Sequence, residues 1–237
     1  MSAFRLGLLL AFALLSGCSD RQPDLKSLMA GAVRIIVVDS AGTRRSAGSG
    51  IIIDGKGHVV TSRATIAKAA TLFVVPPGAA GAAALSARLA WSSKANDLAV
   101  LSVAGLKGVP AVIAGVLPKA GADLFLIGYA DGPCCGNDKQ AAKIRAGAMG
   151  RVVKLPRAEG GAPVAAILHS IAFPKGAAGG ALLDSCGAVV GIASLALDPA
   201  GTPAKGIHFG TPTGALTAGL KAAGISFTTV DKPCRDR

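Results

Sequence analysis

Gly48-Ser49-Gly50-Ile51-Ile52-Ile53-Asp54-Gly55-Lys56-Gly57-His58-Val59-Val60-Thr61 decides how the rest of the chain is read. Two β-branched runs flank Asp54-Gly55-Lys56-Gly57, and a polar, glycine-bearing tetrad between apolar runs is a hairpin signal. The same punctuation recurs in both directions. It predicts strands at Ala32–Val38, Gly50–Asp54, His58–Thr61, Leu72–Val75, Leu85–Trp91 and Leu98–Val103. A second group is predicted at Asp123–Ile127, Ile144–Val153, Ala165–Leu168, Ala181–Leu183, Val189–Ala193 and Gly206–Gly210. Spacing of roughly eight to twelve residues with turn chemistry between runs marks a sandwich or barrel, not alternating β and α units. The segment Ala104–Ala122, bearing Pro110 and Pro118, links the groups. Thr211-Pro212 predicts the cap and first turn of a helix reaching about Ala223, with Gly224 as its stop. The pattern points to an all-β chain of two six-stranded antiparallel barrels with a C-terminal helix.

Composition is consistent with a packed interior. Of 237 residues, 51% are hydrophobic and 16% charged, which excludes a disordered chain. Aromatics are only 4%, so Ala, Val, Leu and Ile must build the core. Arg5 and the apolar stretch Leu6–Leu15 have the form of an export leader, too short for a span of about twenty residues. Leu15-Ser16-Gly17-Cys18 follows and resembles the lipobox of bacterial lipoproteins, which are cut before the cysteine and acylated on its thiol. Residues 1–17 are therefore read as leader and 18–30 as lipidated tether. Residues 31–115 are read as the first barrel and 116–237 as the second with its helix. Two or three acyl chains, at about 0.8 kcal/mol per buried methylene, would hold the protein firmly to a bilayer. The expected location is the cell envelope, facing the periplasm from either membrane.

Lipidation of Cys18 leaves Cys134, Cys135, Cys186 and Cys234, four thiols with three pairings. Cys134 and Cys135 are adjacent, so the least strained arrangement bonds each to one of the distant two. These spacings match no zinc pattern, and neither metal nor other cofactor is expected. The net charge is +12, and loss of Arg5 with the leader removes one unit. Such a surface suits anionic headgroups or acidic polymers, or is simply well solvated. The bases are scattered and the chain is exported, which argues against nucleic acid.

The hairpin at residues 48–61 resembles the opening of the HtrA/Deg branch of trypsin-like serine proteases, where a G-[ST]-G hairpin leads into a strand ending T-x-x-H. Asn96-Asp97-Leu98-Ala99-Val100-Leu101 is similar to that family's D-L-A-[VL]-L, and Gly128-Tyr129 to its following turn. Phe173 to Leu183 resembles the stretch around G-N-S-G-G-[PA]-L, and Gly187-Ala188-Val189-Val190-Gly191-Ile192 and Gly206-Ile207-His208-Phe209 continue the likeness. It extends from Val33 to Leu220 with its landmarks in order, and implies two barrels with the site between them. The chain ends soon after Leu220, and no PDZ domain is expected.

The resemblance implies a serine nucleophile, a histidine base and an aspartate that fixes the histidine tautomer. Asp97 matches the aspartate. The base position is Ala64 and the nucleophile position Ala178. A methyl group neither attacks a carbonyl nor carries a proton. Loss of serine or histidine from such a triad lowers turnover about a millionfold. His58, His169, Ser170 and Ser185 are the side chains from which a relocated site could be built, each hydroxyl needing a base within reach. The main-chain groups of Gly176 and Ala178 match the oxyanion donors, which need no serine side chain. His208 lies on the strand that lines the specificity pocket in the family; it could read an acidic or polar side chain, or be a satisfied, half-buried histidine. Asp97 without its histidine is a relic or a turn cap. Three functions follow: an inactive homologue that binds a peptide or protein partner, an enzyme with relocated residues, or a structural envelope lipoprotein.

Overall fold

The computed structural model describes residues 28–78, 82–129, 141–156, 162–197 and 206–234. The leader, Cys18 and the Cys134-Cys135 pair lie outside them. Strands β1 (Ala32–Val38), β2 (Arg44–Ile52), β3 (His58–Ser62), β4 (Thr71–Val75), β5 (Leu85–Ser93) and β6 (Leu98–Val103) close into one barrel, in the order β1-β2-β3-β6-β5-β4. Strands β8 (Asp123–Gly128), β9 (Lys143–Leu155), β10 (Val164–His169), β11 (Ala181–Leu183), β12 (Val189–Ser194) and β13 (His208–Pro212) form the second. Its order is β11-β8-β9-β10-β13-β12, and pairing of β11 with β12 closes it. Two three-residue strands lie outside the twelve anticipated: β7 (Val112–Ala114) and β14 (Thr228–Val230) pair in parallel and extend the second sheet from β12.

The two-residue period of the strands explains why the runs are apolar on both faces. Val59 and Leu101 point into the first barrel with Val33, Ile35 and Ile52. Their neighbours Val60 and Val100 point out, into an apolar layer shared with Ile127, Leu183 and Ile192 of the second barrel. Helix α2 (Thr213–Ala222), which follows the short helix α1 (Arg63–Ile66) in chain order, covers this layer with Leu216 and Leu220. The helix ends as expected before Gly224, whose φ of 67° suits glycine. Its start differs from expectation. Thr211 and Pro212 complete β13, and the Thr211 hydroxyl donates to the Asn96 carbonyl of the first barrel at 2.6 Å instead of capping the helix.

The cysteine pairing also differs from expectation. Cys186 and Cys234, the two distant cysteines, are bonded to each other, with Cα atoms 5.6 Å apart. The pairing of β14 with β7 delivers the chain end to the turn between β11 and β12, a proximity that local spacing cannot reveal. Closing a loop of 48 residues stabilises by about 4 kcal/mol through loss of unfolded-state entropy. Replacing both Cys186 and Cys234 by alanine should lower the unfolding free energy by roughly 2–4 kcal/mol in denaturant titration.

Gly219 of α2 lies against Trp91 of β5, and a methyl built there would sit 2.5 Å from the indole ring. Gly219→Ala gains about 1 kcal/mol of helix propensity but overpacks a rigid ring, which costs about 1–3 kcal/mol. We expect net destabilisation together with a shift of tryptophan emission. Trp91 is the single tryptophan, so fluorescence reads this junction directly.

Candidate functional site

The site is built where the end of β3 meets β6, and where the second barrel presents the turn at residues 173–180. Asp97, just ahead of β6, has a φ of 48°, a left-handed conformation that aspartate tolerates better than most residues. Its carbonyl accepts the Arg63 amide at 3.2 Å. Its carboxyl group is buried and accepts three hydrogen bonds. Oδ1 accepts the Ala64 amide at 2.8 Å, while Oδ2 accepts the Ser62 and Ser194 hydroxyls, each at 2.6 Å. Ser62 and Ala64 belong to the first barrel and Ser194 to the second, so one side chain ties the two together. The sequence had marked Asp97 and Ala64; Ser62 and Ser194 were missed, although each closes a strand at this junction.

Opposite Asp97 the second barrel makes a 3-10 turn, Lys175–Ala177, followed by Ala178. The Ala178 amide, expected as an oxyanion donor, donates instead to the Lys175 carbonyl at 3.0 Å. The tight turn, with the Ala177 amide likewise bonded to the Pro174 carbonyl at 2.9 Å, commits that amide internally. Ser49 holds the turn from the other barrel. Its hydroxyl donates to the Gly176 carbonyl at 2.7 Å and accepts the Tyr129 amide at 2.7 Å, while its amide donates to the Ala178 carbonyl at 2.8 Å. Approach is so close that a methyl at Gly179, where φ is 83°, would meet Ser49 O and Thr61 Oγ1 at 2.3 Å. Only glycine fits there.

Ser194 also accepts the Ala196 and Leu197 amides at 3.2 Å, which curls the chain after β12. Beside this segment His169, His208 and Phe173 form a ring cluster. His169 stacks on His208 and on Phe173, each at 5.9 Å, and Phe173 lies 5.6 Å from His208. His208 is thus a half-buried member of an aromatic group. His169 is 2% exposed. Its Nδ1 accepts the Ile171 amide at 3.2 Å, and the buried Nε2 has no partner at hydrogen-bonding distance. Burial holds this imidazole down to a pKa of about 4; the Phe209 carbonyl opposes the shift and the charge of His208 adds to it.

Of the side chains considered for a relocated site, His58, Ser170 and Ser185 each have a local partner of their own. His58 Nδ1 lies 2.7 Å from Asp54 Oδ2 at the hairpin. Burial raises the Asp54 pKa, but the His58 side chain and the His58 and Lys56 amides outweigh it and hold the carboxyl below its usual range. The Ser170 hydroxyl accepts the Ala148 amide at 2.9 Å, and Ser185 Oγ lies 3.1 Å from Cys234 Sγ. Asp184, Cys186 and Cys234 bring three ligand atoms together, but both sulfurs are spent in the disulfide.

Residues 48–192 match the family model described as a trypsin-like peptidase domain. No curated protein matches the sequence. Among solved structures, the chain is similar to the active form of the Rv3671c protease of M. tuberculosis. That match has 19% identity, covers 96% of each chain and reaches a TM-score of 0.69. The inactive form of the Rv3671c protease matches at 21% identity over 86% of this chain and 93% of that one, with a TM-score of 0.66. At these identities the likeness concerns the fold.

The His169 environment gives a pH dependence. The unfolded chain binds a proton on this residue near pH 6.5 and the folded chain near pH 4. Its contribution to stability is complete above pH 6.5 and is lost as pH falls through that window, by up to about 1.4 kcal/mol per pH unit. Urea titrations at pH 7 and pH 5 should show this loss in the wild type and a smaller one in His169→Leu. Asp54, with its depressed pKa, contributes a stabilisation that is present above 3.8 and lost only below it, so it does not confuse the comparison.

Proposed function

The chain belongs to the trypsin-like peptidase domain family, and on that premise we propose that it is a non-catalytic member. In this reading it is a lipid-anchored protein of the cell envelope that uses the protease fold to bind a peptide or protein partner. One observation carries the reading: both lone-pair positions of Asp97 Oδ2 are filled by serine hydroxyls, and Oδ1 holds the Ala64 amide. A catalytic aspartate must accept the imidazole N–H of a base. Here that place is taken by Ser62, and the residue that would supply the imidazole is Ala64. The nucleophile position is Ala178, whose amide is committed to Lys175. The carboxyl group that would orient a base acts instead as a fastener between the barrels.

Because the amides of Ala178, Ala196 and Leu197 are satisfied internally, the main chain of this region offers few groups to an incoming peptide. This favours partner contacts outside the line of the family's cleft, on other faces of the barrels. The lipid on Cys18 would keep that surface at the membrane.

The test is casein hydrolysis by the full chain in detergent. Release of peptides should stay at the blank level, and the double variant Ala64→His/Ala178→Ser should stay there too, since Ser62 and the Lys175 carbonyl still occupy the required positions. Activity that co-elutes with the wild type and vanishes on changing Ser170 or Ser185 would sink the proposal in favour of a rebuilt hydrolase. Activity gained by the double variant would show that Asp97 is not committed as described.

A further inference from the structure

A shallow pocket opens behind the 3-10 turn, where β8 and β9 run past it. Across this ladder Gly128 pairs with Lys143 and Leu126 pairs with Arg145. Two residues apart on one strand, Lys143 and Arg145 share a face, and both are exposed. Gly128 lies beneath them, packed against the turn, and it cannot gain a side chain cheaply. A methyl there would lie 3.0 Å from Ser49 Oγ and 3.2 Å from Ala177. The floor is therefore apolar and rigid, with Leu126 and Ala177 in its lining, and the rim carries two cations.

Among the described residues neither cation has a counter-charge. No acidic side chain lines the pocket, and neither Lys143 nor Arg145 takes part in an ion pair among the described residues. Two like charges held on one strand face without a carboxylate repel each other, and an anion that joins them gains from both. The pocket is too shallow to enclose a water molecule. It therefore suits a side chain laid across the surface better than a small molecule bound within.

We propose that the Lys143–Arg145 face, floored by Gly128 and Ala177, is a subsite for an acidic side chain of the bound peptide. The assignment rests on the peptide-binding reading above and adds the partner's chemistry to it. The guanidinium of Arg145 would engage a carboxylate through paired donors, and the ammonium of Lys143 would add a point charge. The peptide would run along β9 beside the turn and leave the ring cluster at His208 untouched.

Fluorescence anisotropy with the full chain in detergent tests this, using a short fluorescein-labelled peptide of alternating alanine and glutamate and its glutamine counterpart. The glutamate peptide should bind and the glutamine peptide should bind at least about tenfold more weakly. Lys143→Gln/Arg145→Gln should weaken glutamate-peptide binding about tenfold. Arg151→Gln/Lys154→Gln removes the same charge from exposed positions farther along β9 and should weaken it less than about threefold. Equal losses in the two double variants would mean a diffuse basic surface and overturn the subsite. Equal binding of both peptides would overturn the acidic preference and leave the peptide-binding reading standing; binding of neither would overturn the subsite and weaken that reading as well. If phosphatidylglycerol vesicles, and not the peptide, lose affinity in Lys143→Gln/Arg145→Gln, the anion is a headgroup and the peptide assignment falls.

Discussion

The carboxyl group of Asp97 holds three donors from two barrels, and the rest of the site is arranged around that constraint. A buried carboxylate is costly unless its oxygens are satisfied. Each hydrogen bond to a charged group returns about 1.5–3 kcal/mol, so three of them offset a penalty of several kcal/mol. The end of β3, the start of β6 and the end of β12 must therefore keep their relative places. Ser194, drawn in by Asp97, in turn gathers the Ala196 and Leu197 amides. Ser49 performs the matching task on the other side, fixing the 3-10 turn through Gly176 and Ala178. Between these two fasteners Gly179 passes so close to Ser49 and Thr61 that no side chain is tolerated.

This arrangement separates two properties that an active enzyme combines. The contacts that unite the barrels run through main chain, Ser49, Ser62 and Ser194. Catalysis needs that same carboxyl group to have a free acceptor position and that same turn to present a free amide. In the non-catalytic reading proposed above, the Asp97 Oδ2 acceptor positions and the Ala178 amide are engaged in structural contacts. A fold can lose its chemistry and keep its architecture when the residues joining its halves differ from those that react.

Much of the fold was legible in the sequence because barrel strands declare themselves through short β-branched runs such as Val59-Val60, and through glycine turns such as Asp54 to Gly57. The ranges of β1, β6 and β11 needed no adjustment. What escaped were features set by distant parts of the chain. Strands β7 and β14 are three residues long and are held by parallel pairing with each other, so neither carries a periodic signal. The Cys186–Cys234 bond depends on that pairing, and adjacency of Cys134 and Cys135 pointed the other way. Asp97, Ala64 and Ala178 could be located by motif, but the commitment of the Ala178 amide is a matter of main-chain geometry that no residue letter records. Ser62 and Ser194 looked like ordinary strand ends.

The distribution of charge separates the two barrels' seam from their surface. Along the seam, neutral hydroxyls and amides satisfy a single acid, and burial keeps His169 uncharged at neutral pH. The cations are held outside, where β9 carries Lys143, Arg145, Arg151 and Lys154 on exposed positions with no acid in the strand. Exposed like charges cost little in water, yet they give a surface its selectivity by lowering the free energy of anions that approach it. Rigidity at the seam and charge at the rim are thus complementary. The extended backbone of β9 fixes the spacing of its cations.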